Sequence, residues 1–157
     1  MTLQELYQEI GGNYCDIKGR LCREEKIEKF VLMFLKDHSC QTLLRSLKQQ
    51  DIEEAFRAVH TLKGVSMNLS FDGLYRISAR LTEYLREKNI QKAEEVLPEF
   101  ISCYEKHYDA IREYEKSRTE MCIRDRFSIH LVTDCPILLL NRLLRILWMT
   151  DLPYLLM

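Results

Sequence analysis

The 157-residue chain is the length of one ordinary domain with a little to spare. A net charge of −1, with no run of basic or acidic residues, excludes a nucleic-acid or polyanion-binding arm. Five Gly and three Pro are too few turn residues for an all-β fold, whereas abundant Glu, Lys, Leu, Gln and Arg favour helices.

The first element is "TLQELYQEIGG", with Leu3, Leu6, Tyr7 and Ile10 at helical spacing and Gly11-Gly12 as its stop. The following "NYCDIKGRLCR" reads as a looser segment. From Glu24, "EEKIEKFVLMFLKDH" repeats Ile27, Phe30, Val31, Phe34 and Leu35, a helix of about four turns. Ser39 is the expected cap of a short helix carrying Leu43, Leu44 and Leu47. Asp51, with Glu54 three residues on, starts a helix in an Asp-headed variant of the capping box. Asp72 is the expected cap of a helix through Leu74, Ile77, Leu81, Tyr84 and Leu85. The last regular segment runs from Ile90 to Ser117, and Pro98 is expected to kink or split it. No segment alternates with a period of two. Short links between periodic helices predict an all-α fold, an antiparallel four-helix bundle with flanking short helices.

Composition changes after residue 117. Between Phe127 and Met157 only Asp134, Arg142, Arg145 and Asp151 are charged, and "ILLLNRLLRILWM" is too short and too interrupted for a membrane span of roughly 20 residues. "EMCIRDR" resembles translated adapter sequence of the kind left at the ends of assembled reads. The expected division is therefore residues 1–117 as the folded bundle and residues 118–157 as a tail, either read-through or a loosely attached apolar segment. Such a segment could also form an amphipathic interfacial or docking helix.

The cysteines Cys15, Cys22, Cys40, Cys103, Cys122 and Cys135 form no C-x-x-C pair and no ligand spacing with histidine. The opening residues lack the basic and apolar regions of a signal peptide. Free thiols in a reducing cytoplasm are expected.

Function turns on "EEAFRAVHTLKGVSMNLSF", Glu53 to Phe71. At 100° per residue, Ile52, Ala55, Phe56, Val59, Leu62, Ser66 and Leu69 form one core stripe, and His60 lies roughly 120° from its centre. Glu53, Gly64 and Met67 share the sector of His60, with Arg57 a little further round and Lys63 on the shoulder. Glycine within a helix costs about 1 kcal/mol against alanine. A glycine that served internal packing would point inward, and Gly64 points outward, where it suits close approach by a separate partner. Neutral imidazole is a nucleophile that can take up a phosphoryl group, and the nearby cation would stabilise the phosphoryl oxygens. A flat helix face cannot bind ATP, so the donor would be another protein.

"HTLKGVSMNLSF" resembles the H-x-L-K-G-x-x-x-x-L-G signature of histidine-containing phosphotransfer domains of two-component phosphorelays, with His60, Leu62, Lys63, Gly64 and Leu69 in register. The likeness extends over roughly residues 1–117, because the family fold is an antiparallel four-helix bundle with the active histidine midway along one helix. The resemblance implies that His60 accepts a phosphoryl group from an aspartyl phosphate on a receiver domain and passes it to another receiver. Lys63 would stabilise phosphoryl charge and Gly64 would clear space for the receiver. Arg57 and Met67 would form the docking rim, an inference from the wheel. No cofactor is implied for this chain, since the Mg²⁺ would sit on the partner receiver. The expected protein is a cytoplasmic, monomeric phosphocarrier, not an enzyme, whose partners are receiver domains or a hybrid sensor kinase, with no nucleic acid and no membrane. The sequence departs from the signature at Ser70, where glycine is usual, and at Val65, where a small residue is common. Ser70 would tighten the turn before Asp72 and shift the end of the active helix.

Two alternatives stand beside this reading. One is the histidine-bearing fragment of a chemotaxis-type sensor kinase, although no glycine-rich ATP-binding segment is present. The other is a helical docking or inhibitor protein in which His60 is only a contact. His38, His107 and His130 lack a Lys-Gly neighbourhood and are expected to be structural or solvated. Tyr104, Tyr108 and Tyr114 are expected to pack in the bundle with wet hydroxyls.

Overall fold

The computed structural model describes the backbone of residues 1–129 and the side chains of residues 1–119. The chain divides into two units, Met1–Thr119 and Glu120–Met157, and the first holds the helical bundle. The last helix, expected to end at Ser117, continues to Ile129, and the expectations about the tail beyond it and about His130 lie outside the described residues.

Among the described residues seven helices follow one another: α1 (Leu3–Ile10), α2 (Tyr14–Leu21), α3 (Glu24–Phe34), α4 (Ser39–Lys48), α5 (Ile52–Asn68), α6 (Asp72–Arg86) and α7 (Ile90–Ile129). No strand occurs among the described residues. Helix α5 packs between α4 and α6. Helix α6 meets α7 through Arg80 Nη1 to Glu99 Oε2 at 3.1 Å. Helix α7 meets α3 through the Tyr114 hydroxyl, which donates to Glu28 Oε1 at 2.7 Å. The expected helical bundle is thus present, with short helices before it.

The links 49–51, 69–71 and 87–89 are each three residues long, and each has a left-handed residue at its centre: Gln50 (φ 59), Ser70 (φ 54) and Lys88 (φ 57). Their bonds follow one pattern. Asp51 N–H reaches Ser46 O, Phe71 N–H reaches Ser66 O and Asn89 N–H reaches Tyr84 O, all at 2.9 Å. These are Schellman ends, which satisfy the last carbonyls of a helix and reverse the chain in one step. Helix α1 ends the same way on Gly11 (φ 70). A side chain in the left-handed region costs about 1 kcal/mol, and the three bundle links accept that cost at non-glycine residues.

The interior is aromatic. Phe71, fully buried at the start of α6, lies 5.7 Å from Tyr7, 5.6 Å from Phe34 and 5.1 Å from His107, measured between ring centroids. Phe34 also meets Tyr104 at 5.4 Å. One residue between α5 and α6 therefore gathers α1, α3 and α7 around the end of α5.

Several local expectations are corrected. "NYCDIKGRLCR" is not loose: Asn13 accepts the Asp16 N–H at 3.0 Å and opens α2, whose Ile17 is fully buried. Asp72 does not cap α6 but is its first residue, because Phe71 occupies the cap position to reach the core. Ser39 likewise begins α4, and Asp37 Oδ1 accepts its N–H at 2.8 Å. Pro98 does not split α7, which runs through it. Losing one helix bond and crowding the preceding turn costs about 3 kcal/mol, and Val96 and Phe100, buried on either side, anchor the helix across it.

Burial decides between the structural and solvated roles expected of His107. His107 is 1% exposed. Its Nδ1 lies 2.7 Å from the Cys103 carbonyl, which can only accept, so Nδ1 carries the proton. Nε2 is buried without a partner among the described residues. Burial lowers the proton affinity of this imidazole, Lys106 lowers it further, and the Cys103 bond opposes both. The Tyr104 hydroxyl is not wet but buried, without a partner among the described residues, because its ring lies inside the aromatic cluster. The Tyr114 hydroxyl donates to Glu28.

Candidate functional site

Helix α5 starts cleanly because the Asp51 carboxylate accepts the Glu54 N–H at 3.0 Å. Its buried residues are Ala55, Ala58, Val59, Leu62 and Ser66, continued by Leu69. Ile52 and Phe56, expected in the stripe, are only half-buried, and Ala58 is buried instead. This turns the core direction to roughly 150° from His60 at 100° per residue, so His60 faces more directly outward than the sequence pattern suggested.

His60 is exposed, and among the described residues no hydrogen bond or ion pair engages its ring. The Phe56 ring lies beside it, 5.9 Å between centroids at 32°. The Arg86 guanidinium sits 5.9 Å over the same Phe56 ring, so the flank of the imidazole towards α6 is held by a packed aromatic side chain. Lys63, one turn on, is half-buried and makes no ion pair among the described residues. Arg57 is occupied within its own helix, with Nη2 2.6 Å from Glu53 Oε1 and Nη1 3.8 Å from Glu54 Oε2. Both pairs are exposed and hold Arg57 only weakly. Met67 is 54% exposed. A Cβ built on Gly64 would meet nothing within 4 Å. Nothing in the bundle requires a glycine there.

All five residues singled out in the sequence thus lie on α5. Residues three or four apart on a helix are surface neighbours, which brings His60 together with Lys63 and Gly64, and Met67 with Lys63 and Gly64. Arg57 lies one turn before His60.

The sequence reading missed what holds the far end of the helix. Ser70, 2% exposed, uses its hydroxyl twice: it donates to Asp16 Oδ2 at 2.7 Å and accepts from Arg20 Nη2. Arg20 Nη2 also lies 2.8 Å from Asp16 Oδ2 and 3.2 Å from the Met67 carbonyl. The Ser70 hydroxyl, followed by Arg20, holds the Asp16 carboxyl below the usual carboxylate range. From α1, the Tyr7 hydroxyl donates to the Leu69 carbonyl at 2.9 Å, and the Asn13 N–H reaches the Ser70 carbonyl at the same distance. Carbonyls at the end of α5 that have no partner in the helix are therefore satisfied by α1 and α2. The Asn-x-x-Asp pattern of residues 13–16, a helix-start signal, was the one clue to α2 in the sequence.

Residues 33–114, just over half of the chain, match the Hpt domain family. The matched segment starts near the end of α3, contains α4, α5 and α6 whole, and ends within α7. The chain belongs to the Hpt domain family. Members of this helical family carry phosphoryl groups on histidine within phosphorelays and work with receiver domains and kinases. No curated protein and no solved structure matches the chain significantly. No described helix is long and apolar enough to cross a membrane, and among the described residues no cluster of His, Cys, Asp and Glu is arranged to hold a metal ion.

Proposed function

We propose that His60 is the phosphoacceptor of this Hpt domain, taking a phosphoryl group from a receiver's aspartyl phosphate and passing it to a second receiver. The observation that carries this reading is the pairing of an exposed, unengaged His60 with open space at Gly64 one turn away. An imidazole nitrogen lone pair attacks phosphorus, the bond to the aspartyl oxygen breaks, and the carboxylate leaves. The ring then loses its other proton to water, which leaves an uncharged imidazole ring carrying the anionic phosphoryl group. Transfer of this kind demands positioning and charge stabilisation more than covalent chemistry from the carrier. Phe56 steadies the ring and Lys63 supplies the positive charge. Gly64 lets the receiver backbone approach, while Arg57 and Met67 contact its rim. The Mg²⁺ belongs to the receiver, and the carrier acts as a cytoplasmic monomer that turns over no small molecule.

The test is incubation with a receiver domain charged from radiolabelled acetyl phosphate and Mg²⁺. Acid-labile, alkali-stable label on the wild type, absent from a normally folded His60→Gln variant, is the expected result. Label retained on His60→Gln would move the acceptor elsewhere, and binding without transfer by every receiver would make the chain a docking protein.

A further inference from the structure

Beside the His60 face lies a groove of about 540 Å³ whose lining includes Arg20 and Leu21 of α2, Phe30 and Met33 of α3, and Val65 and Asn68 of α5. Phe30 is 43% and Met33 52% exposed, high values for large apolar side chains. Asn68 and Val65 follow Gly64 round α5 on the side away from Lys63, at roughly 80° and 140° from His60. The groove thus begins where the open space over Gly64 ends. Along the axis Met67 lies about 10 Å from His60 at 1.5 Å per residue, and Arg20 Nη2 reaches its carbonyl at 3.2 Å. A protein interface covers about 800 Å² per partner, a patch of about 16 Å radius. A receiver centred on His60 therefore covers Arg20.

The groove crosses the boundary of the family match. Val65, Asn68 and Met33 lie within residues 33–114, whereas Arg20, Leu21 and Phe30 lie before them. Arg20 is the cationic residue of its lining, and Asp37, with one oxygen committed to the Ser39 N–H, is the anionic one. Arg20 spends only Nη2 on Asp16, Ser70 and Met67. Its Nε and Nη1 donors are unused among the described residues. The hydroxyl of Ser70 orients this guanidinium, and a glycine in the same left-handed position would supply no such group.

We propose that Arg20, positioned by Ser70 and Asp16, is a specificity-determining residue of the relay step, selecting receivers that place a carboxylate beside the apolar side chain entering the groove. This rests on the assignment of His60 as phosphoacceptor. The part of the chain outside the family match then chooses the partner, while the part inside performs the transfer.

The experiment measures transfer from a receiver charged with radiolabelled acetyl phosphate to the full chain, across receiver concentration and salt. Arg20→Glu should raise KM about tenfold with kcat little changed, since a charge reversal at an interface rim acts on encounter more than on the chemical step. It should also abolish the rise of KM with salt expected of the wild type. Arg20→Lys should recover part of the loss. Ser70→Gly should raise KM about threefold by releasing the guanidinium, with the fold retained. If Arg20→Glu unfolds the protein, Arg20→Gln carries the same KM test. Unchanged KM and salt dependence in a folded Arg20 variant overturns this inference alone. Failure of every receiver to label the wild type overturns the acceptor assignment and this inference with it.

Discussion

His60 and His107 are imidazoles of one bundle placed in opposite surroundings. His60 stands on the outer side of α5, exposed, with open space over Gly64 and no described partner for its nitrogens. His107 is enclosed by α7 and the aromatic cluster, with Phe71 at 5.1 Å and one nitrogen committed to the Cys103 carbonyl. The interior position penalises a charged ring and admits no partner protein, so His107 contributes to packing. The outer position supplies a ring a second protein can reach, on a helix whose other face is anchored. The contrast teaches that accessibility here comes from exclusion from the core, and that the core holds the exposed helix in place.

The comparison can be broken most directly at its interior side. Phe71→Ala should cost about 3–5 kcal/mol of stability, the usual range for removing a buried aromatic. A loss under about 1 kcal/mol in denaturant titration would show that the cluster does not hold the bundle.

Acid should act through His107 next. Its folded proton affinity is depressed, so below the ordinary histidine value of about 6.5 the unfolded chain binds more protons than the folded one. Stability is complete above that pH and falls as the pH drops towards the folded value, by up to about 1.4 kcal/mol per pH unit. Unfolding curves from pH 7.5 to 5 should show this slope, and His107→Leu should flatten it. An equal slope in the variant would assign the acid sensitivity to other groups.

The outer side should respond in the reverse sense. Gly64→Ala should gain about 1 kcal/mol of stability, the helix-propensity difference, because its Cβ meets nothing. The same change should slow phosphotransfer, and Gly64→Leu should slow it further. Transfer at the wild-type rate in both variants would remove the glycine from the docking argument.

Much of this was legible in the sequence because the helices advertise themselves by period. The stripe of α5, the Asp51 cap and the outward sector of His60, Lys63 and Gly64 follow from 100° steps along a line of residues. Ala58 and Phe56 exchanged places in the core because the period gives a direction only to within a residue or so. Helix α2 went unread since it buries a single large residue, Ile17, too little to make a pattern. His107 looked polar because its neighbours in sequence, Lys106 and Asp109, are charged, although its place on α7 falls on the side that holds Tyr104 and Ile111.

The sequence by itself determined the helical class, the bundle and the identity of the candidate histidine, because those depend on local spacing and on side chains near one another in the chain. Only the tertiary structure decided which histidine is enclosed, why Ser70 sits where the family signature has glycine, and how α1 and α2 close the end of α5. Those contacts join residues 47 to 62 positions apart, and no local pattern encodes a pairing at that range.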